Sequence, residues 1–297
     1  MRVRVLGAAA GGGFPQWNCG CPQCLAVRTG SRACRPRTQS SIAVSPEGGR
    51  WYLCNASPDL RAQIESVPAL HPRGLRDSPV EAVLLTDAEL DHTLGLLLLR
   101  EAGRVEVHAT PAVHETLCTG TGLLRTLGSY TRVAWRPVAP GTDVSLAEAV
   151  SYRAFSVPTT KGARFGAPVE ADGVVGYRIT NAHTGRALVY LPGVEALTAP
   201  VRAELEGCSC LLVDGTCWRD DELIRLGVAG RTSREMGHVP IAGAGGSLEL
   251  LSSLSAARRV YVHVNNTNPV LLEDSPERRI VEEHGFEVAE DGLELEL

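Results

Sequence analysis

Apolar positions along the chain fall into short runs with a period of two, separated by glycine- and proline-bearing turns. Val3 and Val5 alternate with arginines, which predicts a first strand over 2–6 running into the turn Gly7 to Gly13. Ser40–Ser45 and Trp51–Asn55 flank a Pro-Glu-Gly-Gly turn and predict paired strands. Pro58 then opens a helix over Asp59 to Ser66. Val80–Thr86 predicts an apolar strand and Thr93–Glu101 a Leu-rich helix; Val105–Ala109 and Pro111–Leu117 repeat that alternation. The middle of the chain predicts strands over Thr131–Pro137, Ser151–Val157, Gly176–Thr180 and Ala187–Leu191, the last two joined as a hairpin by Asn181–Gly185. Helix 198–206, strand 210–214, helix 246–255, strand 259–264 and a hairpin-like tail complete the pattern. Strand–helix alternation at both ends around a meander predicts a layered α/β fold, sheets flanked by helices. No repeat or linker divides residues 1–297, so a single domain is expected. Between two of the strands, Pro158–Gly173 is a long polar loop with Lys161 and Arg164, of the kind that covers an active site.

Composition narrows the function classes. The chain is 44% apolar and 21% charged, as soluble globular enzymes are. A net charge of −5 with no basic tract argues against nucleic-acid binding. No apolar run reaches the ~18 residues that a membrane span needs. The arginines at the start precede an apolar stretch too short and broken for a secretion signal, so a cytoplasmic location is expected. Nine cysteines are then thiols or metal ligands rather than a disulfide framework.

Two constellations carry chemistry. Cys19-Gly-Cys21-Pro-Gln-Cys24 packs three thiols into one short loop, enough for most of a tetrahedral zinc site. The fourth ligand has to come from elsewhere, and His238, in a glycine-flanked turn, is the best-placed histidine. A structural zinc in the loop over 11–24 is therefore expected. The second constellation begins where the Val80 strand ends, with Thr86-Asp87-Ala88-Glu89-Leu90-Asp91-His92. Either these acids cap the following helix and supply its negative first turn, or they gather a cation. Two further apolar strands end in comparable groups, Asp214 after Leu211-Leu212-Val213 and His263 after Val260-Tyr261-Val262. In a layered α/β fold such strand ends converge on one edge.

The order of these elements resembles the metallo-β-lactamase superfamily, whose signature Thr-His-x-His-x-Asp-His follows a strand. Asp87 and Glu89 stand where the signature has its first two histidines; Asp91 and His92 match it. Asp214 matches the bridging aspartate and His263 the last histidine, while the isolated histidine due near Phe155–Thr159 is absent. The resemblance implies an αββα sandwich of two mixed β-sheets flanked by helices. It also implies one divalent metal, held by Asp91, His92, Asp214 and His263. Two imidazoles with one or two carboxylates suit iron(II) or manganese at least as well as zinc.

Gly-Gly-Gly-Phe14-Pro15-Gln16-Trp17-Asn18-Cys19, Thr38-Gln39-Ser40-Ser41, Asn55-Ala-Ser-Pro-Asp59 and His263-Val-Asn-Asn-Thr-Asn-Pro269 further resemble the coenzyme PQQ synthesis B family within that superfamily. This implies a role in making pyrroloquinoline quinone (PQQ) from a Glu–Tyr unit of a peptide precursor, alongside other proteins of the pathway. On that resemblance the chain is expected to be an iron-dependent oxygenase acting on the tyrosine ring. Asp87 and Glu89 would orient the metal, bind it weakly, or accept a proton. The alternatives are a carrier that moves the quinone or its precursor towards the periplasm, and a metal-dependent phosphodiesterase.

Overall fold

The computed structural model describes residues 1–162, 164, 165 and 172–297. Part of the expected loop Pro158–Gly173, namely 163 and 166–171, thus lies outside the described residues.

Among the described residues, two seven-stranded sheets face each other. The first is built from β1 (Arg2–Gly7), β2 (Ser41–Ser45), β3 (Trp51–Cys54), β4 (Val80–Leu84), β5 (Arg104–Ala109), β6 (Arg132–Pro137) and, from the far end of the chain, β14 (Glu294–Glu296). The second holds β7 (Asp143–Ala147), β8 (Val150–Ser156), β9 (Val175–Asn181), β10 (Ala187–Leu191), β11 (Cys210–Asp214), β12 (Arg259–Val262) and β13 (Phe286–Val288). Their spatial orders are β14-β1-β2-β3-β4-β5-β6 and β13-β12-β11-β10-β9-β8-β7. Both are mixed. β3 to β6 run parallel, as do β10 to β13, and the remaining neighbours are antiparallel.

The alternation along each strand sorts side chains into three apolar layers. Val3, Val5, Ile42, Leu84, Tyr152, Tyr177, Tyr190, Leu212 and Val262 fill the space between the sheets. Leu53, Val83 and Val107 point the other way, against Leu60, Leu96 and Leu117. Val189, Leu211 and Tyr261 do the same on the second sheet, against Val201, Leu251 and Val281. Inner strands covered on both faces read as continuous apolar runs, which is why 210–213 and 82–85 are so apolar.

Some expected elements differ. The helix expected over Thr93–Glu101 starts earlier, as one α turn Leu90–Thr93, and continues as a 3₁₀ segment Leu94–Leu99. Gly95 explains the change: its N donates to Ala56 O at 2.9 Å, and a Cβ there would lie 2.1 Å from Ser57 O. The helix expected over 246–255 is only Ser247–Leu250. The tail is not a hairpin, because β13 joins β12 in one sheet and β14 joins β1 in the other. β7 and the helix Pro276–Glu283 are additional. No helix among the described residues is long and apolar enough to cross a membrane.

One edge of the sandwich is tied shut where the parallel strands end. Ala9 bridges Gln39 on one side and Val264 on the other, and Val175 N donates to Thr86 O at 2.8 Å. The segments leaving β1, β4 and β12 are thereby brought together.

Candidate metal centre

Asn55 follows β3 in the left-handed conformation, φ 66°, which asparagine tolerates better than most residues. From there its side chain clamps the exit of β4: Oδ1 accepts from Thr86 N at 3.0 Å, and Nδ2 donates to Thr86 Oγ1 at 2.9 Å. Thr86 Oγ1 donates to Asp87 Oδ2 at 2.8 Å. Asp87 then holds the next turn, accepting Glu89 N at 2.9 Å and His92 Nδ1 at 2.7 Å. Burial alone would raise the Asp87 carboxyl, but the adjacent His92 pulls it down to about 2. Burial likewise disfavours a charged His92, yet Asp87 and Asp91 push it up to about 9.

That chain of hydrogen bonds fixes the ring and commits Nδ1, so Nε2 points away from Asp87. It is buried and has no hydrogen-bond partner among the described residues. Asp91 Oδ2 lies 3.8 Å from it and 3.3 Å from His263 Nε2. The ligand atoms of Asp91, His92 and His263 all fall within 4.8 Å of one another. Gly11 makes room for the carboxylate, since a Cβ there would come within 3.1 Å of Asp91 Oδ2. An orphaned imidazole nitrogen facing a carboxylate and a second imidazole fits a divalent transition metal. Two histidines and one carboxylate, with open positions, are the donor set used for non-haem iron(II).

His263 follows β12 with φ 55°, a strained conformation for a non-glycine residue. The β11–β12 register pairs Asp214 with Val262, so His263 emerges one residue further along the same edge. Its Nδ1 lies 2.9 Å from Thr216 Oγ1, which donates to Asp214 Oδ1 at 2.6 Å. With the hydroxyl proton spent on Asp214, Nδ1–H is the donor to Thr216 and Nε2 carries the lone pair. Burial keeps His263 below its ordinary pKa, the state in which an imidazole binds a metal.

Asp214, expected in one ring with Asp91, His92 and His263, stands instead behind His263. Its oxygens accept Thr216 N, Thr216 Oγ1, Val194 N and His238 Nδ1, the last at 2.7 Å. Burial would raise this carboxyl; the His238 and His263 rings and Thr216 bring it below the usual range. Asp214 groups with His238 and His263, giving two adjoining clusters that share His263.

His238 also corrects the expectation for the cysteines. It packs over His263 with ring centroids 5.1 Å apart, while Cys19, Cys21 and Cys24 converge without it. The residue found against the thiols is Asn266, whose Nδ2 is 3.3 Å from Cys24 Sγ and 3.6 Å from Cys21 Sγ. Cys21 caps the helix Pro22–Thr29 through Cys24 N, and burial pushes its thiol up to about 12. Two buried thiols and a half-buried third, converging on one point, fit a zinc ion, which would replace their protons. Sequence reasoning misses Thr216 and Asn266. Their signals are short ones: Asp-Gly-Thr after β11, and the Asn-Asn-Thr-Asn run after His263.

Glu89 belongs to neither cluster. It pairs with Lys161 Nζ at 2.8 Å and Arg164 Nε at 3.2 Å. All three of these residues open onto a cavity of about 400 Å³, which Phe165 and Val157 also line. Asp87, expected as an orienting or weak ligand, supports His92 from behind.

A model of the Beta-lactamase superfamily domain matches residues 50–264. Over the full length of both chains, the sequence is 45% identical to coenzyme PQQ synthesis protein B of Azotobacter vinelandii and 47% identical to that of Azoarcus sp.. The crystal structure of Zn(2+)-bound PqqB from Methylobacterium extorquens superimposes with a TM-score of 0.92 at 44% identity, covering 100% of both chains. A diphosphatase of the PhnP family, 20% identical, aligns with a TM-score of 0.70 over 100% of this chain and 97% of its own, a likeness of fold alone.

Proposed function

Because the chain belongs to the coenzyme PQQ synthesis protein B family of the β-lactamase superfamily, we propose that it acts in the formation of PQQ as an iron-dependent oxygenase. The substrate in this reading is the tyrosine ring of a Glu–Tyr-derived precursor. The observation that carries it is the cluster Asp91, His92 and His263, in which His92 Nε2 has no partner among the described residues. Iron(II) held by these three residues would supply oxygen activation.

The remaining work falls to the protein's own side chains. Asp87 and Thr216 hold the two ligating rings in the right tautomer, which raises their basicity. Asp214 and His238 form a hydrogen-bonded pair that reaches the cavity wall beside His263. Val157, Phe165 and Met236 give that wall an apolar lining against which an aromatic ring packs. Cys19, Cys21 and Cys24 would hold a zinc that pins the loop over 11–24, and with it Gly11 beside Asp91.

Anaerobic loading with Fe(II), then oxygen, a reductant such as ascorbate and a Glu–Tyr peptide, is expected to yield a product one oxygen heavier. His92→Ala and His263→Ala should abolish it. Normal turnover by either variant would overturn the assignment. Tight binding of the quinone to metal-stripped protein, with the peptide left unchanged by loaded protein, would make the chain a carrier instead.

A further inference from the structure

Glu89 lies in the cavity, yet its carboxylate faces two cations and not the metal-ligand atoms. Lys161 and Arg164 both pair with it, one to each oxygen. Among the described residues no other lysine or arginine lines this cavity. The two cations come from the same loop after β8, and the root of that loop is secured separately. Thr159 Oγ1 and Thr160 N donate to Glu195 at 2.9 and 2.6 Å. The Lys161 side chain is only 19% exposed and Glu89 30%, so the ammonium is partly dehydrated and needs an anion beside it.

We propose that Glu89 is an internal stand-in for a ligand carboxylate. It neutralises Lys161 and Arg164 while the cavity is empty and yields them to a substrate carrying two carboxylates. The exchange is selective for a simple reason. A neutral ligand leaves the Glu89 pairs intact and gains nothing from the cations. A monocarboxylate replaces one shared anion by another. A dicarboxylate gives each cation its own partner, and the released Glu89, already in contact with water, is rehydrated at little cost. This rests on reading the cavity as the substrate site, and it makes Glu89 a specificity-determining residue.

The test is calorimetric binding to Fe(II)-loaded protein without oxygen, using N-acetylated Glu–Tyr dipeptide, its uncharged diamide, and glutarate. Glu89→Gln is expected to tighten the dipeptide roughly five- to thirtyfold, the worth of one or two half-exposed ion pairs, and to leave the diamide unchanged. Lys161→Met should weaken the dipeptide and remove most of the gain from a superimposed Glu89→Gln. Trypsin should cut after Lys161 and Arg164 faster in Glu89→Gln, and bound dipeptide should slow it again. Equal shifts for dipeptide and diamide, weaker dipeptide binding in Glu89→Gln, an unchanged tryptic rate, or no binding of any probe would overturn the stand-in role. If glutarate binds and is tightened by Glu89→Gln while the dipeptide never binds, the stand-in holds and the Glu–Tyr reading fails. A dipeptide that binds but ignores Glu89→Gln sinks the stand-in and leaves the Glu–Tyr reading in place.

Discussion

Asp87→Asn preserves the shape of the group behind His92 and removes its charge, and it should act on metal binding in two opposed ways. The carboxylate holds His92 Nδ1 at 2.7 Å. Losing such a carboxylate behind a ligating histidine costs on the order of 10–100-fold in metal affinity. The same loss relieves competition by protons. With His92 held at about 9, the metal must displace a proton at pH 7, which lowers its apparent affinity by roughly a hundredfold. With Asp87 gone, burial is opposed only by Asp91 and Glu89, so the ring falls back towards its ordinary value near ~6.5 and that handicap at pH 7 shrinks to a few-fold.

The sign follows from the raised histidine. Its protonated form is favoured below the folded value, so native apparent affinity climbs about tenfold per pH unit from ~7 and levels off above ~9. In Asp87→Asn the profile should be nearly flat over that window. The two proteins should then bind metal about equally at pH 7 and differ most at high pH. Competition of Co(II) or Fe(II) against a chelator across this range, without oxygen, measures both curves. Parallel profiles, with the variant weaker by the same factor throughout, would refute the claim that Asp87 governs the proton on His92.

Cys24→Ser should remove the zinc of the N-terminal loop and lower the melting temperature by about 5–10 °C, at ~2–4 °C per kcal/mol lost; His238→Ala should leave that zinc in place, and elemental analysis of both variants decides. Gly95→Ala should cost about 3 kcal/mol by forcing a methyl onto Ser57 O, seen as a lower denaturation midpoint with unchanged slope.

Much of this architecture is legible in the sequence because apolar strands announce themselves by alternation or by runs, and the carboxylates and imidazoles come directly after them. β4, β11 and β12 are recognisable, and so are Asp91, His92 and His263 as groups lying just past β4 and β12. What stays hidden is non-local. β7 is a half-exposed edge strand with a weak pattern, and β13 and β14 find their partners at opposite ends of the molecule. Gly95 interrupts a Leu-rich helix through a contact with Ser57, nearly forty positions earlier, that periodicity does not encode.

The site shows the same division more sharply. Asp91 and Asp214 are both carboxylates close to the ends of apolar strands, and nothing in their local sequence separates the one left facing imidazole nitrogens from the one already held by other donors. The difference lies in what already satisfies each one. Asp214 is surrounded by Thr216, the Val194 amide and His238, which together occupy both of its oxygens. Asp91 instead turns Oδ2 towards two imidazole nitrogens, one of them without a partner among the described residues. His238 follows the same logic. Val239 N donates to Val194 O at 2.6 Å, and Ser233 Oγ to His238 O at 2.9 Å. Those bonds carry the histidine to Asp214 and leave Asn266 beside the thiols. A side chain's chemistry can be read from its identity, but whether it is free to bind a metal depends on which distant donors reach it first.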